Sequence, residues 1–301
     1  MDTLWGIDMG GTKTEGVVIV RKTRTVIVRK RIETQSEMGY DHILNRIDIL
    51  VKEMISQSGV VPDQIGFGTP GTLDPATGHI KNSNTTCLNG KPLQEDLEKK
   101  LGVKVKIAND ANCLTLAEYH MGVIPTLSDD PGTVFGIILG TGVGGGIVVN
   151  GQVLYGHHGI GGEWGHNFLD ASGGQCYCGK TGCVETIISG PALEKYYAGL
   201  TGEPRSLREI YQLYQSAEDP AAAETIERLL YFFGKAVAAV INIIDPSYVI
   251  IGGGVGNIAA LYEKGAGYIK PFIFNDRVST KIVKPVLGDS AGVFGAAMLF
   301  G

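Results

Sequence analysis

The sequence predicts an α/β protein of two lobes with a zinc-stabilised loop, and three observations lead to this prediction. Short apolar, β-branched runs alternate with amphipathic helical segments over the whole 301 residues, a pattern typical of α/β folds. Two of the apolar runs enter turns rich in glycine and threonine, and another apolar run follows each turn. Three of the five cysteines lie together in one loop, which favours a metal site over scattered core thiols.

Composition excludes several classes of protein. A hydrophobic content of 44% allows a large buried core, and 301 residues are enough for two lobes. The net charge of −5 argues against general nucleic-acid binding, which depends on a cationic surface. The first residues lack the basic and apolar regions of a signal peptide, and the most apolar stretch is about half the length needed to span a bilayer. We therefore expect a cytoplasmic protein with neither a membrane nor a nucleic-acid partner.

The chain opens with a hairpin built around a candidate phosphate turn. Residues 4–9 form an apolar strand that contains Asp8, and residues 14–20 and 26–32 continue as strands. The connecting residues are Gly10, Gly11, Thr12 and Lys13. Glycines let backbone N–H groups approach an anion closely, although a plain hairpin turn explains the pattern equally well.

The next segments end in polar loops suited to a polyol. We expect helices at residues 41–58 and 92–101, and a short strand at 65–68 that leads into Gly71. The loop at 81–86, which contains Asn84, offers amides and hydroxyls, but such side chains are also ordinary in solvated loops.

Asp110 stands where the predicted strand 103–108 gives way to a helix at 111–119. It is either an ordinary helix N-cap or a carboxylate presented to a ligand at the end of a sheet strand. The second interpretation is favoured because ligands of α/β sheets gather outside strand ends. Because a helix N-terminus stabilises the ionised form, we expect Asp110 to be a weak base.

A second glycine cluster repeats the first plan. The apolar strand 133–139 enters residues 140–146, which include Gly140, Thr141, Gly142 and Gly144, and residues 147–149 form the next strand. Asn150-Gly151 then signals a type I′ hairpin. We interpret the repeated strand, turn and strand as a weak internal duplication, in which two turns facing each other clasp one polyphosphate.

The C-terminal part of the chain reads as alternating helices and strands. Helices are expected at 191–198, 207–215, 221–244, 257–269 and 292–300, with strands at 248–251 and 280–283. Gly253 and Gly254 follow the first of these strands, either as a tight turn or as a flat surface for an adenine ring. We assign residues 1–120 and 290–301 to a small lobe and residues 121–289 to a large one.

The loop at residues 163–185, here named the Cys/His loop, is a candidate zinc site. His166, Cys176, Cys178 and Cys183 supply one imidazole and three thiolates, which together form a closed tetrahedral set. Four protein ligands leave no place for a water, so the zinc would be structural rather than catalytic. Unligated core cysteines and disulfides are the alternatives. Glu163 and Glu185 bracket the set, so zinc would fix the loop that carries both acids.

The ordered motifs Asp8-x-Gly-Gly-Thr-Lys13, Asn109-Asp110-Ala-Asn112, the second glycine cluster, Glu163-x-Gly-His166 and the three cysteines resemble the ROK family of sugar kinases and repressors. That family belongs to the actin/hexokinase/Hsp70 superfamily, so the resemblance implies a two-lobed actin/hexokinase-like (ribonuclease H-like) fold with a central cleft. Family repressors carry a helix-turn-helix before the first strand, which here begins at Leu4, so the kinase branch is implied. The 81–93 and 162–167 segments are similar to the bacterial fructokinase branch, which also takes mannose, although Cys87-Leu88 departs from relatives that often carry Trp in that loop.

The resemblance implies an ATP-dependent hexose kinase that uses Mg²⁺ and structural Zn²⁺, acts as a homodimer, and phosphorylates fructose, most naturally at its 6-hydroxyl. N-acetylglucosamine kinase, glucokinase, a non-enzymatic sugar-sensing regulator and a zinc-stapled structural protein are the alternatives. Asp110 would be the catalytic base and Asp8 an outer-sphere partner of Mg²⁺. The implied sugar contacts are Asn84, Asn109, Glu163, His166, Glu185 and Gly71. The implied nucleotide contacts are Asp8, Gly10, Gly11, Thr12, Lys13, Gly140, Thr141, Gly142, Gly144, Gly253 and Gly254.

Overall fold

The structure, a computed structural model, describes residues 1–301 as an α/β protein with two five-stranded sheets and a short β-ribbon. The strands are β1 Thr3–Met9, β2 Lys13–Val20, β3 Val26–Glu33, β4 Gln64–Thr69, β5 Thr72–Leu73, β6 Ile80–Lys81, β7 Lys104–Asn109, β8 Thr133–Leu139, β9 Val143–Val149, β10 Gln152–Val153, β11 Tyr248–Gly252 and β12 Lys281–Val283. The helices are α1 Tyr40–Ser58, α2 Leu93–Leu101, α3 Asp110–His120, α4 Glu185–Ile188, α5 Gly190–Thr201, α6 Leu207–Ser216, α7 Pro220–Ile244, α8 Ala260–Ile269 and α9 Ala291–Met298. No helix is both long enough and apolar enough to cross a bilayer.

The chain divides into two compact units. The first unit contains Met1–Asp130, Gly146–Gly161 and Val286–Gly301, and the second contains Pro131–Gly145 and Gly162–Pro285. The first unit therefore gathers three separate stretches of sequence, and the closing helix α9 returns to it.

The two sheets are built on one plan. The first has the strand order β3-β2-β1-β4-β7, and the second has the order β10-β9-β8-β11-β12. In the first sheet, β1, β2 and β3 pair antiparallel, β4 lies parallel to β1, and β7 lies parallel to β4. In the second, β11 lies parallel to β8 and β12 parallel to β11. The matching orders confirm the internal duplication that the two glycine clusters predict.

The register of the first sheet brings the candidate residues of that unit to one edge. Asp8 on β1 is paired with Gly68 on β4, and Thr69 at the end of β4 is paired with Asn109 at the end of β7. Parallel strands end at the same edge of a sheet. Asp8 and the Asn109–Asp110 junction are therefore neighbours, although they are about a hundred residues apart in sequence.

The prediction of a seven-residue glycine turn at 140–146 is wrong in its second half. Only residues 140–142 form the turn, and β9 begins at Val143. A side chain at Gly145 would meet the carbonyl oxygen of Gly162 at 2.5 Å and the indole of Trp164 at 2.6 Å. Gly145 is therefore required for close packing along a strand. The helix predicted at 257–269 likewise begins later, at Ala260, after a 3-10 turn at Val255–Asn257.

Glu118 fixes the far end of α3, the helix that begins at Asp110. Its side chain is fully buried, and its Oε2 accepts the Val123 amide at 2.8 Å. Its Oε1 accepts the amides of Val286 and Leu287 at 2.9 and 2.8 Å. One carboxylate thus accepts three backbone amides and joins α3 to the segment that leads into α9.

Glu118→Gln should destabilise the protein by about 1–3 kcal/mol, because an amide NH₂ would then face a backbone N–H that has lost its acceptor. Urea denaturation of the variant measures the loss. Glu218→Gln makes the same chemical change at an exposed position and should stay within about 0.5 kcal/mol of the parent. Equal stabilities of the two variants would contradict the role assigned to Glu118.

Candidate active site

The first turn (residues 10–13) has its carbonyl oxygens occupied by protein donors. Gly10 N donates to Lys13 O at 3.0 Å, and Thr34 N donates to Thr12 O at 2.9 Å. The hydroxyls of Thr34 and Ser36 donate to Gly10 O and Gly11 O, both at 2.7 Å. The amides of Gly11 and Thr12 have no backbone acceptor. A turn held by its carbonyls, with amides left over, can bind a phosphate.

Sequence reasoning did not identify Thr34 and Ser36, although both hold this turn in place. Thr34 is fully buried and also hydrogen-bonds the hydroxyl of Thr14 at 2.8 Å. They lie more than twenty residues beyond the turn and follow β3, so only the pairing of β2 with β3 brings them to it. No local sequence signal marks them.

Asp8 lies beside the first turn in an acidic environment. Burial is the main cause that raises the pKa of its carboxyl from 3.8 to about 6, and the neighbouring carboxylates of Asp110 and Glu15 raise it further. Arg31 acts in the opposite direction. Carboxylates gathered beside a phosphate turn fit Mg²⁺, a hard cation that prefers oxygen ligands, and Asp8 is the residue that would face it.

The Asp8 carboxylate should therefore reduce the stability of the free protein at neutral pH. Because the folded state raises the Asp8 pKa to about 6, the folded protein binds an extra proton between pH 4 and 6, and stability is lost as the pH rises through this window. We expect Asp8→Asn to melt above the parent at pH 8, and the difference to shrink towards zero near pH 4. Thermal denaturation at pH 4, 6 and 8 tests this, with the exposed Asp63→Asn as control. If Asp8→Asn raises the melting temperature by the same amount at all three pH values, the raised pKa of Asp8 is refuted.

Asp110 is the first residue of α3, and Asn109 rather than Asp110 is the N-cap. The side-chain oxygen of Asn109 accepts the Asn112 amide at 2.8 Å, and Asp110 Oδ1 accepts the Ala111 amide at 2.8 Å. The Asp110 side chain is exposed to solvent on one side. Protein atoms surround the rest of the carboxyl, and this desolvation raises its pKa above the ordinary value. The backbone amides of Ala111 and Asp110 lower it by less. The expectation of a weak base is therefore wrong in direction, because desolvation outweighs the favourable helix N-terminus.

The side chain of Glu185 packs against the second turn (residues 140–142). Gly140 N donates to Gly142 O at 2.9 Å, and Gly190 N donates to Gly140 O at 2.9 Å. Glu185 Oε2 accepts the Val143 amide at 2.9 Å, and a side chain at Gly142 would meet that oxygen at 2.7 Å. The acid beside the last cysteine of the Cys/His loop therefore contacts this turn directly.

His166, Cys176, Cys178 and Cys183 come together as predicted. Their ligand atoms all lie within 4.8 Å of one another. Cys176 Sγ is 3.7 Å from His166 Nδ1, and Cys178 Sγ is 3.6 Å from Cys183 Sγ. Zinc bonds of about 2.0–2.3 Å place tetrahedral ligands at comparable separations. Burial and the neighbouring Cys178 and Cys176 thiols raise the pKa of Cys183 to about 12, a crowding that a bound dication would relieve. The four residues fit zinc.

Backbone hydrogen bonds fold the Cys/His loop into this arrangement. Cys176 N donates to Lys180 O at 2.8 Å and Gly182 N to Gly174 O at 2.7 Å. Gly182 has φ 73°, and a side chain there would meet Asp170 O at 2.4 Å, so only glycine fits between Cys178 and Cys183 at this point.

Trp164 and Tyr177 complete the surroundings of His166. Trp164 Nε1 donates to the carbonyl of Gly144 at 3.1 Å, which anchors the 3-10 turn Trp164–His166 to β9. The phenol oxygen of Tyr177 lies 3.0 Å from His166 Nε2. The ring nitrogen that does not face Cys176 is thus in contact with the hydroxyl of an exposed tyrosine. Glu163 precedes this turn and is half-buried.

The remaining candidates lie on loops. A side chain at Gly71 would meet Lys81 O at 2.9 Å, so this glycine allows the close approach of the loop that carries the exposed Asn84. Gly253 has φ 84°, and a side chain there would meet Leu139 O at 2.2 Å, whereas Gly254 is exposed with open space beside it. Gly253 is thus explained by a tight turn, and the flat surface for a ring is available at Gly254. Thr141 is exposed within the second turn.

The candidates divide between the two units. Asp8, the first turn, Gly71, Asn84, Asn109 and Asp110 belong to the first unit. Glu163, the zinc set, Glu185, the second turn, Gly253 and Gly254 belong to the second. Each unit therefore carries one phosphate-type turn with one set of polar side chains beside it.

Comparison with known proteins identifies a family and finds two similar chains that share one name. The model of the ROK family matches residues 4–301. The N-acetyl-D-glucosamine kinase of Aliivibrio salmonicida is 35% identical over 305 residues, with 98% of each chain covered. The enzyme of the same name from Vibrio atlanticus is 36% identical over the same length, with the same coverage.

Solved structures agree on the fold. The ROK hexokinase from Thermus thermophilus has a TM-score of 0.87 and 30% identity, and the match covers 99% of this chain and 97% of that one. A ROK glucokinase from Streptomyces griseus, solved with glucose and AMPPNP, has a TM-score of 0.74 and 25% identity, and the match covers 99% of this chain and 98% of that one. These likenesses support the hexokinase-like fold, and none of these relatives is named a fructokinase.

Proposed function

The chain belongs to the ROK family, and from that membership and its site we propose that it transfers the γ-phosphoryl group of ATP to a hexose hydroxyl. One observation carries the proposal. A turn with its carbonyls occupied and its amides available lies on the same sheet edge as Asp8 and Asp110. Phosphoryl transfer needs positioning and charge stabilisation more than covalent chemistry, and this edge offers both.

In the proposed reaction Asp110 accepts the proton of the attacking sugar hydroxyl. Desolvation makes its carboxylate a stronger base than an ordinary aspartate. The Ala111 amide, which donates to Oδ1, holds the carboxylate in one orientation. The amides of the first turn would bind phosphate oxygens, and Mg²⁺, when bound near Asp8, would neutralise phosphate charge.

The second unit would supply contacts to the sugar and the nucleoside. We propose that Glu163, His166 and Glu185 bind sugar hydroxyls and that Gly254 lies against the adenine. The zinc set would keep these two acids and the imidazole in place. In the first unit we propose Asn84, Asn109 and Gly71 as sugar contacts, and a homodimer is the assembly that the family resemblance implies.

We propose N-acetyl-D-glucosamine as the acceptor, because both relatives are named for that sugar. The loop sequences suggest fructose instead. A coupled assay of ADP release across N-acetylglucosamine, glucose, mannose and fructose tests the ranking. We expect the highest kcat/KM for N-acetylglucosamine. A preference for fructose would restore the fructokinase interpretation. No sugar-dependent ADP release from any of these sugars would favour the non-enzymatic regulator, which a DNA gel-shift then examines.

A further inference from the structure

We propose that an open cavity beside the first turn is a subsite for an uncharged polar substituent of the acceptor sugar, larger than an acetyl group. The inference rests on the proposed function and names the class of substrate it takes. The cavity has a volume of about 730 Å³, well within the range of ligand pockets, roughly 300–1,000 Å³. It lies wholly in the first unit, between the first turn, the segment after β3 and the loop that carries Asn84.

The charge of this cavity suits a neutral ligand. Its walls include the carboxylates of Glu33 and Glu37 and the amides of Gln35 and Asn84, and no lysine or arginine lines it. A separate cavity of about 270 Å³ also touches the first turn, and it is lined by Lys13 and Arg31 together with the carboxylates of Asp8, Glu15 and Asp289. The larger cavity, unlike the smaller one, has no cationic side chain in its walls, so it repels anions while offering hydrogen bonds to a polyol or an amide.

Hydrogen bonds within the protein hold the walls of the larger cavity in place. Gln35 adopts the left-handed conformation, with φ 54° and ψ 50°, which is uncommon for a residue other than glycine. Its side-chain oxygen lies 2.9 Å from His42 Nε2, which holds it there. The Ser36 hydroxyl donates to Gly11 O at 2.7 Å, and the Cys87 thiol donates to Ser36 O at 3.8 Å. Strained residues fixed by their surroundings occur preferentially at ligand sites.

The cavity also opens where a sugar ring is expected. Asn84, the proposed sugar contact, forms part of its wall, so a substituent on a bound ring would extend into it. The exposed side chains of Asn84, Glu37 and Thr86 make no hydrogen bond within the protein and are available to such a substituent. Cys87, a small side chain in the same wall, leaves the space unfilled.

Glucosamines that differ only in the N-acyl group test this subsite. For the wild-type protein we expect kcat/KM for the neutral N-succinamoylglucosamine within about threefold of that for N-acetylglucosamine, and at least tenfold lower for the anionic N-succinylglucosamine. Thr86→Trp places an indole in the cavity wall and should lower the ratio of succinamoyl to acetyl kcat/KM at least tenfold. Val61→Trp adds the same indole at a position that is 73% exposed outside the cavity, and should leave that ratio unchanged.

Glu37→Lys supplies a second variant, on an exposed side chain. It should raise the ratio of succinyl to succinamoyl kcat/KM at least threefold. Ratios that stay at the wild-type value in both Thr86→Trp and Glu37→Lys would overturn the subsite, even if every sugar is phosphorylated. Calorimetric titration of the same three sugars without ATP separates the two proposals. Binding that follows the expected order without any turnover would support the subsite and refute the kinase.

Discussion

Asp110→Asn should lower kcat by about 10²–10⁴-fold, the usual contribution of a general base, while the dissociation constant for the sugar changes by less than about threefold. Asparagine keeps the shape of the side chain, and its oxygen can still accept the Ala111 amide that Asp110 Oδ1 accepts now. The structure of α3 should therefore survive, because Asn109 rather than Asp110 caps that helix. Steady-state kinetics with N-acetylglucosamine, together with calorimetric sugar binding, separates the loss of the base from a loss of binding.

Asp129→Asn is the matched control, since Asp129 is an exposed aspartate of the same unit. Its kcat should equal that of the wild type. An Asp110→Asn variant that keeps more than about a tenth of wild-type kcat would remove Asp110 from the chemistry. A variant that loses sugar binding as well would reassign it to recognition.

Cys178→Ser should abolish zinc binding and raise the KM for the sugar by at least about tenfold, equivalent to about 1.4 kcal/mol. Cys178 is an exposed member of the set, and its sulfur lies 3.6 Å from that of Cys183. Without the metal the loop loses the link between His166, itself a proposed sugar contact, and Cys183, which lies two residues before the proposed contact Glu185. Structural zinc sites contribute directly to folding, so the melting temperature should fall as well.

Metal content measured by plasma mass spectrometry and sugar titrations on the same preparation test this prediction. Cys87→Ser, outside the set, should retain one zinc per chain. The zinc clamp would be disproved by a metal-free Cys178→Ser protein whose KM for the sugar equals that of the wild type.

Local patterns in the sequence predict most of the fold. The apolar runs that end at Met9 and Leu139 form strands, and the amphipathic segment after Gly39 forms the 19-residue helix α1. The cysteine spacing predicts the four-residue cluster because metal ligands must lie within a few ångströms of one ion. Chemical identity and short spacing carry these predictions, and neither depends on distant contacts.

The rest of the site depends on contacts between segments far apart in sequence. Thr34 reaches the first turn through strand pairing, and Glu185 reaches the Val143 amide from forty-two residues away. The direction of the Asp110 pKa depends on how densely the folded chain surrounds the carboxylate, which no local pattern reveals. The proposal of N-acetylglucosamine in place of fructose likewise rests on the comparison with relatives rather than on a motif in this sequence.

Phosphorus NMR of the wild-type protein with ATP, Mg²⁺ and N-acetylglucosamine tests the proposed transfer most directly. The account predicts that the γ-phosphate signal of ATP is replaced by a phosphomonoester signal that couples to protons of the sugar. Conversion of the γ-phosphate to inorganic phosphate alone, or an unchanged ATP spectrum with this sugar and with glucose, mannose and fructose, would contradict it.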